Sequence, residues 1–397
     1  MMNSTSVVKT VVLAAGGTGG HVFPAEAVAE ECIRLGYRVI LITDKRFNSY
    51  GGTLGQIEKY SIRAGTFGRG LASKVTAVAD ICIGLYQALA LLRKIRPDAM
   101  IGFGGYPSYP TVRAACMLGI PSVIHEQNSV LGRANRMLSG HVSAIATSFP
   151  DTTSLAESYR SKTVWVGNPV RSSIKALRDI AYTECSESGV IRLLVTGGSQ
   201  GASLFSTLIP HAISLLPPSL RTRIRVDQQC RDNEVEATKA KYKAIQLDAD
   251  VASFFTDIPA RLASTHLVIG RAGASTLSEL AVAGRPSILI PLPSAMDNHQ
   301  YYNAKSLEAV GGIVLLEQKD LNAGILANQL EILFTHPQKL SALASNAKAY
   351  GKVHAAHDLV QLMLHAASGN PIIGYAASEC INHENQMTLN CAKEKAA

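Results

Sequence analysis

The segment 10–20, T-V-V-L-A-A-G-G-T-G-G, returns in altered form at 192–201 as R-L-L-V-T-G-G-S-Q-G. Each is an apolar run that ends in clustered glycines and gives way to helical apolar spacing. That order is the opening of a β-strand, glycine turn and α-helix unit. Two such openings about 180 residues apart predict two similar α/β lobes in one chain of 397 residues. Further apolar runs at 37–43, 99–103, 122–125 and 144–146, and after the second opening at 223–226, 267–269, 287–290 and 312–315, alternate with helical stretches. Such alternation predicts right-handed βαβ crossovers and parallel sheets. Helical spacing from Pro24 to Leu35, closed by Gly36, is the first crossover helix. The polar stretch 169–190 reads as a linker, 191–365 as the second lobe, and 366–397 as a loose tail.

Composition narrows the partners. Apolar residues make up 47% and charged residues 17%, which excludes a disordered polyelectrolyte or a long coiled coil. The excess of 38 basic over 30 acidic residues, net +8, suits an anionic partner such as a phosphorylated small molecule, a nucleic acid or an anionic membrane. Seven cysteines with no C-x-x-C pair argue for free thiols rather than a disulfide framework or a zinc site. The N-terminus lacks the basic-then-apolar order of a signal peptide. Between Lys74 and Arg93 lies an eighteen-residue apolar stretch interrupted by Asp80. A central Asp costs about 2.5–3.5 kcal/mol in a bilayer, so a packed or membrane-facing surface helix is expected there.

The chemistry gathers at glycine turns. Gly16–Gly20 lacks both the G-x-G-x-x-G dinucleotide fingerprint and the G-K-[ST] ending of a P-loop. Its glycines still allow close approach of a ligand to the backbone, and the helix N-terminus that follows attracts anions. His21 stands beside this turn as a candidate acid or base. Phe103-Gly104-Gly105 and His125-Glu126-Gln127-Asn128 follow their own strands, at the sheet edge where α/β folds bind ligands. In the second lobe, Gly270-Arg271-Ala272-Gly273 opens a helix running through Ala274, Ser275, Thr276, Leu277, Ser278 and Glu279. Arg271 offers a planar fork for phosphate, and Glu279 an acceptor for sugar hydroxyls. Asp248 and Asp250 resemble a metal-binding D-x-D but read as a solvated turn.

Seven segments in order resemble the MurG glycosyltransferase family: GGTGGHVFPA at 16–25, GGYPSYP at 104–110, HEQN at 125–128, VGNPVR at 166–171, GGSQGA at 197–202, GRAGASTLSELAVAGRP at 270–286 and QYYNA at 300–304. The match departs from the family pattern at Ala272 and at His299-Gln300. The resemblance implies a GT-B fold, two Rossmann-like lobes whose parallel sheets face across a cleft, with residues 1–168 as the acceptor and membrane-facing lobe and 191–365 as the UDP-GlcNAc lobe. It implies donor contacts from Thr18, Gly19, Gly20, Asn128, Arg171, Ser199, Phe255, Ala274 to Glu279, and Gln300, with Glu279 on the ribose diol, the Phe255 backbone on uracil and His21 as the catalytic histidine. The implied partners are UDP-GlcNAc, a lipid-linked muramyl-pentapeptide acceptor and the anionic cytoplasmic surface of a bacterial inner membrane, with no metal, no cofactor and no nucleic acid. An NAD-dependent oxidoreductase would need the missing fingerprint, and a non-catalytic nucleotide-sugar adaptor would not need His21.

Overall fold

A computed structural model of the chain describes residues 9–16, 19–44, 52–65, 71–186, 188–198, 202–373 and 375, with side chains from residue 75 onward in the helix that begins at 71. Thr18 and Ser199 lie outside the described residues, as does everything after Tyr375. The chain forms two compact units, one from the segment ending at Pro169 together with the segment beginning at His354, the other from Val170–Val353.

The first unit holds β1 (Thr10–Ala14), β2 (Arg38–Thr43), β3 (Glu58–Ser61), β4 (Ala99–Gly102), β5 (Ser122–Glu126), β6 (Ala144–Thr147) and β7 (Thr163–Trp165). They form one sheet in the order β3-β2-β1-β4-β5-β6-β7, and every pairing is parallel. Its helices are α1 (Gly19–Arg34), α2 (Thr53–Gln56), α3 (Leu71–Ile95), α4 (Ser108–Met117) and α5 (Arg133–Leu138). The central strands β4, β5 and β6 are buried at every position, as a sheet covered on both faces requires.

The second unit repeats the design. Its helices are α6 (Ser172–Lys175), α7 (Phe205–Ser214), α8 (Pro218–Arg221), α9 (Val235–Ala244), α10 (Ile258–Ser264), α11 (Ala274–Ala283), α12 (His299–Glu308), α13 (Ala323–Thr335) and α14 (Pro337–Tyr350). Its strands are β8 (Ile191–Thr196), β9 (Ile224–Gln229), β10 (Asp248–Ala252), β11 (Leu267–Gly270), β12 (Ser287–Leu289) and β13 (Val314–Leu315), in the parallel order β10-β9-β8-β11-β12-β13. In each sheet the strand order reverses beside the strand that carries a glycine turn: at β1/β4 and at β8/β11. Such switch points are where doubly wound sheets open a crevice for ligands.

Three boundaries differ from the sequence reading. First, α15 (Ala355–Ala367), assigned above to the second lobe, completes the first unit. Leu359, Val360, Leu362 and Met363 join the core formed by β1, β4 and β5 residues, including Val11, Ile101 and Val123. An apolar helix face does not say which sheet it covers, so sequence order alone misplaced it. His357 Nδ1 lies 2.8 Å from Glu31 Oε1 on α1. Hydrogen bonding from Arg34, and then from His357, overcomes burial and holds the Glu31 carboxyl down at about 2. Ile372 and Tyr375 pack into the same core, so order extends past residue 366. Second, residues 169–190 do not form a free linker. Ile174, Leu177 and Cys185 are buried and Tyr182 packs on the second unit's core. Third, α1 begins at Gly19, five residues before the helical spacing suggested, and Pro24 sits inside it. His21 therefore lies in the helix's first turn.

The helix α3 is long and apolar enough over Val75–Ile95 to cross a membrane by length and composition, and 22% of that window is buried. It packs against α4. The backbone of Arg63 crosses it so closely at Gly84 that a Cβ there would stand 2.0 Å from the Arg63 carbonyl oxygen. Asp80 pairs with Arg63 at 3.4 Å and Gln87 Oε1 accepts from Arg63 N–H. The apolar stretch read from the sequence divides between two environments. Ala88 and Leu92 are buried, and Leu85 and Leu89 pack on the core, whereas Val75, Val78 and Tyr86 are exposed, Tyr86 by 73%.

Candidate active site

In the first unit the site grows from the β1/β4 switch point. Gly104 and Gly105 follow β4 with φ of +78° and +76°, left-handed backbone that glycine adopts without strain. A Cβ on Gly105 would stand 3.3 Å from the His21 ring, so the two glycines both make the turn and leave room for the imidazole. His21 Nδ1 lies 2.9 Å from Gln127 Oε1. Gln127 Nε2 lies 3.1 Å from His125 Nδ1 and donates to the His125 carbonyl, also at 3.1 Å. His125 Nε2 ends the line 3.0 Å from the Gly167 carbonyl oxygen. His125 is fully buried, with the Phe103 ring edge-on at 5.9 Å. Burial pushes its pKa down to about 4, against the opposing pull of the Gly167 carbonyl, so the ring is neutral.

The neighbouring Glu126 is buried and faces another way. Its carboxylate accepts from Asn128 N–H at 3.0 Å, Gly132 N–H at 2.8 Å and Asn135 Nδ2 at 2.8 Å. It thereby shapes the loop carrying Asn128. Gly19 and Gly20 open α1, and among the described residues nothing beyond the adjoining backbone lies within 4 Å of where a Gly20 Cβ would be.

In the second unit, α11 starts after Gly273, an N-cap with no side chain to bond the first N–H groups. Those donors and the helix dipole make an anion site. Ser275 Oγ is buried there with no hydrogen-bond partner among the described residues. One turn further on, Glu279 Oε1 accepts from Arg171 Nε at 3.1 Å and Nη2 at 2.9 Å. The Glu279 side chain is only 14% exposed, and burial raises its pKa while Arg171 opposes the rise. Removing Arg171 would leave that carboxylate without its charge partner.

Gln300, in the first turn of α12, accepts from Leu292 N–H at 3.0 Å and so ties the 291–298 loop. Phe255 is buried under the Arg261 guanidinium, 3.8 Å above its ring. Arg271 is buried, and its Nη1 donates to the Ile290 and Pro291 carbonyls at 3.1 and 3.2 Å. Asp248 and Asp250 lie on the edge strand β10 rather than in a turn, and pair with Arg225 at 2.9 Å and Arg261 at 2.7 Å. Among the described residues no cluster of His, Cys, Asp and Glu is built to hold a metal.

The sequence reading quoted H-E-Q-N as a motif but gave no task to His125, Glu126 or Gln127. His125 and Glu126 end the buried strand β5 and Gln127 follows it, a placement that singles out the segment but none of its side chains. The contacts that distinguish them come from Gly167, 42 positions away from His125.

The two parallel-sheet units, each with a glycine turn at its switch point, match the two domains of one glycosyltransferase family. Residues 11–147 match the glycosyltransferase family 28 N-terminal domain, and residues 192–362 match the family 28 C-terminal domain. The chain is 50% identical over 355 residues to the UDP-N-acetylglucosamine–N-acetylmuramyl-(pentapeptide) pyrophosphoryl-undecaprenol N-acetylglucosamine transferase of Paramagnetospirillum magneticum, covering 89% of this chain and 96% of that protein. It is 47% identical to the protein of the same name from Rhodospirillum centenum, covering 90% and 94%. The crystal structure of Acinetobacter baumannii MurG superposes with a TM-score of 0.71 at 30% identity, covering 89% of this chain and 99% of that one. The chain belongs to glycosyltransferase family 28 and, within it, to the MurG family.

Buried neutral His125 has a measurable consequence. The unfolded chain takes up this proton near pH 6.5 and the folded chain only near pH 4. The stabilisation is complete above pH 6.5 and disappears as pH falls toward 4, roughly 3 kcal/mol in all. Urea unfolding of wild type and His125→Gln across this range should show a smaller pH slope in the variant. Identical slopes would mean that the folded state admits the proton at His125.

Proposed function

We propose that this protein transfers N-acetylglucosamine from UDP-GlcNAc to the C4 hydroxyl of undecaprenyl-pyrophosphoryl-N-acetylmuramyl-pentapeptide, with inversion at the anomeric carbon. The product is the disaccharide-linked lipid used in peptidoglycan synthesis. The observation that carries the reading is family membership at 50% identity across nearly the whole of a transferase so named. In the reaction the acceptor oxygen forms a bond to the anomeric carbon while the bond to UDP breaks. His21 takes the hydroxyl proton. The diphosphate charge that develops is met by the N-terminus of α11 and by Arg171. Glu279 accepts from the ribose hydroxyls, and Asn128, Phe255 and Gln300 shape the donor site, with Thr18, Gly19, Gly20 and Ser199 on the glycine turns. Arg271 braces the chain after β12, since its Nη1 is spent on main-chain carbonyls.

The acceptor's polyprenyl chain stays in the bilayer, so the enzyme works at the membrane surface. Exposed Val75, Val78, Ile83 and Tyr86 on α3 and the basic residues Arg93, Lys94 and Arg96 at its end suit an anionic cytoplasmic leaflet. Each cation near such a surface contributes about 1 kcal/mol.

Incubation with labelled UDP-GlcNAc and the lipid-linked acceptor should yield the labelled disaccharide lipid. His21→Ala should lower kcat by roughly 10²–10⁴-fold with little change in donor KM. A fall of less than tenfold removes His21 from the chemistry. For the donor site, wild type should bind UDP more tightly than 2′-deoxy-UDP by about 1.5–3 kcal/mol, and Glu279→Ala should bind the two alike. Equal affinities in wild type would release Glu279 from the ribose. At the membrane, co-sedimentation with vesicles should require anionic lipid, weaken with salt and drop in the Arg93→Glu/Lys94→Glu double variant. Undiminished binding by that variant would exclude this face as the membrane contact.

A further inference from the structure

The line of hydrogen bonds behind His21 has a direction, and its far end decides it. The Gly167 carbonyl oxygen can only accept, and Ser148 Oγ, 3.3 Å from the same nitrogen, gives its hydrogen to the Glu126 carbonyl, so His125 carries its proton on Nε2, 3.0 Å from Gly167. A neutral imidazole has one N–H, so His125 Nδ1 is bare and must accept. The group facing it, 3.1 Å away, is the Gln127 amide. That same amide end also faces the His125 carbonyl at 3.1 Å. Two acceptors meeting one end of a carboxamide require it to be the NH₂ end. Turning the amide over would set its oxygen against a carbonyl oxygen and a nitrogen lone pair inside a buried site, with no donor to compensate. Gln127 is 2% exposed, so water does not relieve such a clash. The amide oxygen therefore points at His21, and His21 Nδ1, 2.9 Å away, must be the donor.

We propose that Gln127 is a positioning residue that holds His21 in the tautomer with its proton on Nδ1 and a bare Nε2, and that His125, anchored on the Gly167 carbonyl, fixes the orientation of Gln127. The inference rests on the reading of His21 as the base. It adds which nitrogen takes the acceptor's proton, and why the ring is ready to take it. On proton transfer Nε2 gains the hydrogen, and the positive ring keeps its Nδ1–H bond to the Gln127 oxygen. Gln127 contributes no charge. The two other titratable groups of this segment are His125, which is held neutral, and Glu126, whose carboxylate is engaged with Asn128, Gly132 and Asn135.

The test is nitrogen-15 NMR of the full-length protein labelled at histidine, with the His21 signals identified by their loss in His21→Gln. Wild type should show a protonated Nδ1 and a bare Nε2 at His21, and the opposite pattern at His125. A protonated Nε2 on neutral His21 in wild type overturns the proposal without any variant. In Gln127→Met, a similar length without the amide oxygen, His21 should sample both tautomers. Its kcat should then fall about tenfold or more, with donor KM within about twofold. An unchanged tautomer or an unchanged kcat in that variant also overturns it. The two readings fail separately. A His21→Ala variant that still turns over sinks the base assignment and leaves Gln127 without a catalytic task. A His21→Ala variant that is inactive, combined with a protonated Nε2 in wild type, sinks the Gln127 assignment alone.

Discussion

A wholly parallel sheet must be covered on both faces, because its strands are apolar on both and no hairpin can shield an edge. Most of the architecture follows from that demand. It forces a helix between successive strands and brings all the strands' carboxyl ends to one edge. In the first unit the crossover helices do not suffice, and α15 supplies cover beside α1. His357 on α15 reaches Glu31 on α1 at 2.8 Å and fixes where the added helix meets α1. Without that cover, the strands that present His125 and the Gly104-Gly105 turn would lie under solvent.

The sequence was most legible where one residue type has one physical use. The glycine turns, the strands before them and the central strands of both sheets were found at their observed places, because apolar runs ending in glycine have few other readings. Three of the four edge strands were not, while the fourth, Val314–Leu315, falls inside the run read at 312–315. Glu58–Ser61, Thr163–Trp165 and Asp248–Ala252 are short or polar, and they join their sheets through main-chain bonds that side-chain pattern does not report. The same limit hid the contacts within each candidate region. Arg171 and Glu279 could be named from motifs, but their pairing joins positions 108 apart. Gln127 gave no signal of its own, since its orientation comes from a histidine two residues away and a carbonyl forty residues on.

The candidate regions of the two units, each taken by itself, use buried polarity differently. In the line behind His21 the groups are neutral, so direction is carried by donors and acceptors whose order cannot reverse. Around Glu279 the buried group is a carboxylate, and its burial is tolerated because Arg171 stands against it. The first arrangement suits a ring that must hold one tautomer. The second sets a carboxylate acceptor beside a guanidinium donor, a pair that suits a ligand with both hydroxyls and negative charge.

Because α15 belongs to the first unit while Val170–Val353 lie between it and β7, the second unit is an insertion in the first. During synthesis the ribosome therefore emits the whole of the inserted unit before the helix that closes the earlier core. The inserted unit is contiguous and can complete itself as it emerges. The first sheet meanwhile waits with the surface destined for Leu359, Leu362 and Met363 uncovered. At roughly 5–20 residues per second, that interval lasts on the order of ten seconds or more. An apolar sheet face exposed for so long is a binding site for chaperones, and the time-ordering of the chain, rather than the stability of the finished fold, sets how much of this protein needs their help.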